Sequence, residues 1–332
     1  MRMIHHQFVE RETGKIKREE LIGDKAIHFL YSSAREKAPF LFKALTSARF
    51  SSELLAFLKF DMGVLLPSRQ SLEASGINFV ECLHPQGFTT MRRVFERQIR
   101  YWECRPMLED PATVVSPADS RVIVGSLNDT STLFLKEKFF DFAELLGKDK
   151  YQWLDAFRNG DFAVFRLTPE KYHYNHTPVS GEVLDLYEVS GSYHSCNPSA
   201  TINVVTPFSK NKRVVTIVNS DVPGGTGVGL IAMVEVVALM IGDVVQAYSS
   251  TQYNDPKMIS PGMFLKKGAP KSLYRPGSST DLIIFQPGRV ELSDDLVRNR
   301  SLSNVQSRFS EGFGKPLVET DVRVRSTIGK AI

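Results

Sequence analysis

The sequence predicts an α+β protein in which a helical N-terminal layer covers a mostly antiparallel, β-rich core. Three observations predict it. Up to about Pro106, apolar residues recur at spacings of three and four, the period of a helix. From about Thr113 onward the apolar runs are short, rich in β-branched residues and punctuated by Gly, Pro, Asn and Asp. The two patterns follow one another instead of alternating, which favours segregated helices and strands over a doubly wound parallel sheet.

The helical pattern covers Ile22–Tyr31, Pro39–Thr46, Ser51–Leu58 and Met91–Trp102. Between Phe40 and Phe60 the chain is rich in Phe and Leu, interleaved with Lys43, Arg49 and Lys59. A basic amphipathic segment of this kind either packs on the protein or lies in a lipid headgroup layer. The strand pattern covers Arg121–Ser126, Phe162–Leu167, Glu182–Val189, Thr201–Thr206, Arg213–Val218, Leu230–Val237 and Leu282–Phe285. One helix is expected among them, at Phe140–Leu146, and the last twenty or so residues read as a polar, exposed tail. The domain reading is therefore a helical region over 1–107 and a β-rich core over 108–332.

Composition narrows the function. The 332 residues are 42% apolar and 23% charged, an ordinary globular balance. A net charge of +4 suits an anionic surface or substrate and is too weak and scattered for nucleic acid. Cys82, Cys104 and Cys196 are far apart and form no CxxC pair, so neither a disulfide framework nor a zinc site is expected. A reducing compartment follows. Residues 1–7 carry no apolar core of a secretory signal. The apolar stretch Leu230–Val245 is interrupted by Glu235, Gly242 and Asp243, which is too short and polar to cross a membrane. The expected location is cytoplasmic, or peripheral on the cytoplasmic side of a membrane.

Four segments could carry chemistry. Gly224–Gly229 has no Lys-Ser/Thr ending and precedes a strand, so a tight hairpin fits it better than a phosphate loop. Ser116-Pro-Ala-Asp119-Ser-Arg121 reads as a turn, with Asp119 a capping or a catalytic carboxylate. Tyr172-His173-Tyr174-Asn175-His176, with Pro169 and Pro178 on either side, puts two imidazoles in a constrained loop. They suit acid–base work better than metal binding, because no third ligand has a known spacing; surface histidines are the plain alternative. Gly277-Ser278-Ser279-Thr280 leads into the apolar run Leu282–Phe285 and lacks the Gly-x-Ser-x-Gly of a nucleophile elbow.

Taken in order, these segments resemble the phosphatidylserine decarboxylases, which are pyruvoyl enzymes. Phe95–Arg100 through Arg105-Pro106 is similar to the family's aromatic-Arg segment, and Ser116–Arg121 to its Ser-Pro-Ala-Asp-Gly-Arg motif. Tyr172-His173 and His176 with Pro178 and Gly181 are similar to its Tyr-His-x-x-His block, and Ser195-Cys196-Asn197-Pro198 to its Ser-Val-Asn-Pro. Gly277–Phe285 resembles its cleavage motif. Ser120, Val237, Leu239, Ala269-Pro270 and an extra serine depart from the family pattern. Counting back from Phe285 places the reactive serine at Ser279; counting forward from Gly277 places it at Ser278.

The resemblance implies self-cleavage between Ser278 and Ser279, with Asp119 orienting His176 and His176 taking the proton of Ser279. The serine then becomes a pyruvoyl group, so no pyridoxal phosphate and no metal are expected. That group acts as the electron sink when a substrate amine loses CO2, and His173 is the expected proton donor. The implied substrate is a phospholipid, phosphatidylserine, met at a membrane surface. The implied partners are the long and short chains of one precursor, and a homodimer is compatible. Three alternatives remain: a pyruvoyl decarboxylase of a free amino acid, a serine hydrolase using Asp119, His176 and Ser279, and an inactive binding module.

Overall fold

The computed structural model describes residues 5–21, 24–31, 39–47, 49–50, 66–128, 139–204, 206–239, 243–275 and 279–332. Ser51–Leu58 and Ser278 lie outside them. The strands are β1 (His6–Glu10), β2 (Ile16–Glu19), β3 (Thr113–Val115), β4 (Ser120–Ser126), β5 (Asp161–Leu167), β6 (Tyr174–His176), β7 (Gly181–Val189) and β8 (Arg213–Asn219). They continue with β9 (Leu230–Val237), β10 (Val244–Gln246), β11 (Phe264–Leu265), β12 (Pro270–Tyr274), β13 (Ser279–Phe285), β14 (Val290–Leu292), β15 (Thr320–Val322) and β16 (Thr327–Ala331).

Among the described residues, ten strands form one sheet in the order β11-β7-β8-β9-β13-β5-β4-β15-β1-β2. Its pairs are antiparallel except β1 with β15. Two small sheets, β10-β12-β6 and β14-β16-β3, complete an α+β architecture. The Gly-rich segment forms the β8–β9 turn, as its sequence predicts. Gly227 has φ +83° there, and a Cβ on Gly225 would meet the Ser220 carbonyl oxygen at 2.1 Å.

The central strands read as long apolar runs because both faces are buried. Leu282 and Ile284 of β13 pack with Phe162, Val164 and Val234 under Leu145, Trp153, Phe309 and Phe313. Ile283 and Phe285 point the other way, onto Val122, Phe165, Ile231 and Ile328. All seven residues of β13 are buried. A polar residue in such a strand therefore needs a stated partner or a stated use.

Several local readings are corrected. Thr201–Thr206 is no strand: Asn197 caps a helix at Pro198–Thr201, accepting from the Ser199 N–H at 2.8 Å, and Pro207 opens another at Pro207–Lys210. Met91–Trp102 divides into Met91–Phe95 and Tyr101–Cys104, because Ile99 pairs with Cys82 and draws the intervening chain out. Two strands, β1 and β2, lie inside the region read as helical. The polar C terminus is no exposed tail. It supplies β15, inside the large sheet, and β16, because its charges find buried partners.

Those partners form one network. Arg166 donates from Nε to Glu319 at 2.9 Å and from Nη1 to Glu19 at 3.0 Å, and Nη2 reaches both carboxylates at 2.6 Å. His6 Nε2 lies 2.7 Å from Glu319, and Arg121 also pairs with Glu19. Burial would push the Glu19 and Glu319 carboxyls up, but the Arg166 charge holds both below the usual carboxylate range. His6, Glu19 and Glu319 lie close enough to hold a metal ion. Arg166 already supplies positive charge to both carboxylates, and nothing further is assigned to the cluster.

Candidate active site

Ser279 is the first described residue of β13. Its neighbours across the sheet are Leu167 of β5 and Val237 of β9. Both belong to an apolar cluster with Phe95, Ala118 and Tyr274. The serine is fully buried, and its Oγ has no hydrogen-bond partner among the described residues. A hydroxyl enclosed in this way is a cost unless it is used.

His173 reaches the same cluster by stacking on Phe95, with ring centroids 3.7 Å apart. Its Nδ1 lies 2.8 Å from the Lys171 carbonyl, so Nδ1 carries the hydrogen and Nε2 the lone pair. That Nε2 is buried and has no partner among the described residues. Burial, helped by the Arg97 charge, pulls its pKa down to about 3.

His176 is tied to the turn that carries Asp119: its backbone N–H donates to the Pro117 carbonyl at 2.7 Å. The ring is fixed at both nitrogens. Nδ1 donates to the Gly268 carbonyl at 2.8 Å, and Nε2 lies 3.0 Å from the Tyr172 hydroxyl, itself 2.7 Å from that of Tyr253. Tyr101 packs edge-on at 4.7 Å. Burial lowers this pKa also to about 3.

Asp119 is held elsewhere. Arg105 donates to it from Nε at 3.0 Å and from Nη2 at 2.7 Å, and the Val324 N–H donates at 2.8 Å. Burial would raise its pKa, but the guanidinium overrides this and pulls it to about 2. The structure thus brings Asp119 and His176 into one turn-and-loop unit, with the Asp119 charge acting on both imidazoles. The expected hydrogen bond from His176 to Asp119 is not among those of the described residues. A bidentate Arg105 competes for the carboxylate, and the Gly268 carbonyl orients the ring instead.

Sequence reading missed Gly268, Tyr253 and the partnership of Arg105 with Asp119. It also passed over Arg166, Glu235 and Asp281 as functional candidates, although each is a charge set in or beside an apolar run. Beside Leu167 opens a small recess lined by Glu20, Ile27, Arg166, Thr168, Ser195 and Asn197. Arg166 is the cross-strand neighbour of Thr280, so the recess adjoins the strand that Ser279 begins.

Residues 91–315 match the model of the family described as phosphatidylserine decarboxylase, which is more than half of the chain. The chain belongs to the phosphatidylserine decarboxylase family. It is similar to phosphatidylserine decarboxylase proenzymes of Fusobacterium nucleatum subsp. nucleatum (26% identity, 93% of this chain, 97% of the relative) and Chlamydia trachomatis (26%, 97% and 96%). It also resembles phosphatidylserine decarboxylase proenzyme 2 of Oryza sativa subsp. japonica, with 31% identity over 73% of this chain and 37% of that protein.

In this phosphatidylserine decarboxylase family member the two buried imidazoles predict acid sensitivity. Their folded pKa values, about 3, lie below the unfolded value of roughly 6.5. The unfolded chain takes up protons that the folded one refuses, so this stability is present above pH 6.5 and lost as pH falls toward 3. Between pH 7 and 5.5 the pair should cost about 2–3 kcal/mol. Urea unfolding of an uncut protein at the two pH values checks this; equal midpoints would show that the rings are not held neutral.

Proposed function

We propose that this chain is the precursor of a phosphatidylserine decarboxylase that cuts itself between Ser278 and Ser279 and converts Ser279 to a pyruvoyl group. The observation that carries the reading is Ser279 itself: a buried hydroxyl, without a partner among the described residues, at the head of a buried strand. The position suits the group. Its walls are Leu167 and Val237, and loss of the Oγ hydroxyl breaks no hydrogen bond of the described residues. When present, the pyruvoyl ketone accepts a substrate amine and draws off the electrons released as CO2 leaves.

The chain's own residues then have these roles. His176, with its hydrogen fixed on Nδ1 by Gly268, keeps a lone pair on Nε2 and takes the Ser279 proton. Tyr172 must release that nitrogen first. Asp119 stabilises the charged ring through space, and Arg105 fixes Asp119. His173 presents an Nε2 with no partner among the described residues; it takes up there the proton that the substrate ammonium group gives up and passes it to the α-carbon. Its low pKa means that it relays this proton instead of storing it.

A phospholipid substrate calls for contact with a membrane from one side. Among the described residues no helix is long and apolar enough to cross one. The helices Asp24–Phe29 and Pro39–Leu45 expose Phe29 and Phe40, and Lys43 is exposed beside the latter. We assign residues 1–107 a share in that contact.

The test is maturation followed by assay on vesicles of phosphatidylserine. Two chains should be found, divided at 278/279, and phosphatidylethanolamine should form. His176→Ala should stay uncut, whereas His173→Ala should be cut, with decarboxylation reduced by a factor of roughly 10² or more. An active preparation made of intact chains would overturn the reading. Equal activity on free serine and on vesicles would replace the phospholipid with a free amino acid.

A further inference from the structure

Asp281 follows Ser279 by two residues on β13, so the two side chains leave the same face of the strand. It is fully buried, and Glu235 of β9 is its direct cross-strand neighbour. Phe165 flanks it on the other side. Two carboxyl groups thus share a closed space.

Among the described residues the space holds one cation for the two of them. Lys271 of β12 is itself buried, and its Nζ donates to Glu235 at 2.6 Å and to Gln246 at 3.0 Å. Glu235 also accepts from Gln246 at 3.0 Å, from Asn175 at 3.2 Å and from Ser272. Four donors, one of them a cation, mark Glu235 as the ionised member, and its charge cancels that of Lys271. Among the described residues Asp281 receives only the Tyr274 hydroxyl, at 2.7 Å to Oδ1. Its Oδ2 is buried without a partner among the described residues.

An ionised Asp281 would be a second negative charge beside Glu235, desolvated and without its own counter-ion. Burial, and after it the Glu235 charge, push this carboxyl well above the usual range. Tyr274 has one hydrogen and two acceptors in reach, Asp281 Oδ1 at 2.7 Å and the Thr280 carbonyl at 3.1 Å; with the hydrogen on the shorter contact, the Asp281 proton belongs on Oδ2. The Oδ2 hydroxyl and the Ser279 hydroxyl are then two unsatisfied groups on one strand face.

We propose that Asp281 is kept as a neutral carboxylic acid whose Oδ2 hydroxyl donates a hydrogen bond to the ketone formed at position 279. This rests on the reading of Ser279 as the pyruvoyl precursor. Such a donor polarises a carbonyl toward attack by an amine, and it gains strength where water is excluded. An ionised aspartate could not donate at all.

The experiment uses the mature, cut protein and hydroxylamine, which forms an oxime with a ketone, followed by mass spectrometry of the short chain. Asp281→Val should still cut itself and carry the ketone, but form the oxime about tenfold more slowly. Asp281→Asn, which keeps a donor of the same size, should react near the wild-type rate. Over a pH series the wild-type rate, taken relative to Asp281→Asn, should fall about tenfold as Asp281 ionises in the field of Glu235, Lys271 and Tyr274. An infrared carboxylic acid band at neutral pH, absent from Asp281→Asn, is the direct signature. Superimposable pH profiles, or the absence of that band, would overturn the proposal even if Asp281→Val fails to fold. A wild-type short chain that forms no oxime at all removes the pyruvoyl reading instead.

Discussion

Ser279→Ala should be recovered as one uncut chain with no decarboxylase activity, whereas Ser278→Ala should still divide into two. The expected effect is complete because, on the proposed reading, the Ser279 hydroxyl is the nucleophile. The structure makes this a clean experiment. Ser279 Oγ bonds to nothing among the described residues, so its removal leaves no orphaned partner and costs little stability. The thermal midpoint of the variant should match or exceed that of a wild-type precursor trapped before cutting. Loss of cleavage is then a chemical result and not a folding failure. The mass of the short chain decides between the two serines. Pyruvoyl followed by Thr280 assigns the cut to 278/279; pyruvoyl followed by Ser279 would move it back by one residue.

Arg166→Met should destabilise the uncut protein by about 3–5 kcal/mol at pH 8, the usual consequence of leaving buried carboxylates without their cation. Among the described residues Glu19 would keep Arg121, but Glu319 would keep only His6. The pH dependence follows from the sign of the shifts. Glu19 and Glu319 are held below the usual carboxylate range, so their contribution is present above the unfolded pKa and is lost as pH falls. In the variant those carboxyls would accept protons readily, and the gap to the parent should narrow toward pH 5. Urea titrations at pH 8 and pH 5 measure both effects. A deficit below about 1 kcal/mol at pH 8 would show that the network contributes little to holding β1 and β2 in place.

What could be read from the chain follows from how local the signal is. Asp161–Leu167, Arg213–Asn219 and Leu230–Val237 are legible because they are buried on both faces and are therefore mostly apolar, with Arg166 and Glu235 as charged interruptions. β1 and β2 are not, since β2 is mostly exposed and polar and its place depends on Glu19 meeting Arg166, 147 residues away. The C-terminal strands were misread for a related reason: Glu319 and Asp321 look like surface charges until Arg166 and Lys171 are placed beside them. At the site, the motif residues Asp119, His173, His176 and Ser279 carry a local signature. Their partners do not. Gly268 orients His176 from 92 residues away, and Tyr253 meets Tyr172 across 81.

The order of the large sheet has a consequence for molecularity. β13 lies between β5 and β9, and β15 lies between β4 and β1, so the segment that follows Ser279 enters the sheet at two interior places that are not adjacent. Cutting before Ser279 cannot release it while the sheet stands. Unfolding, however, would set free two molecules in place of one, and mass action then governs the equilibrium. The melting point of the cut protein should rise with its concentration, and that of the precursor should not. Refolding of the separated pieces would be second order, because the tether that held the second piece at high effective concentration has been spent.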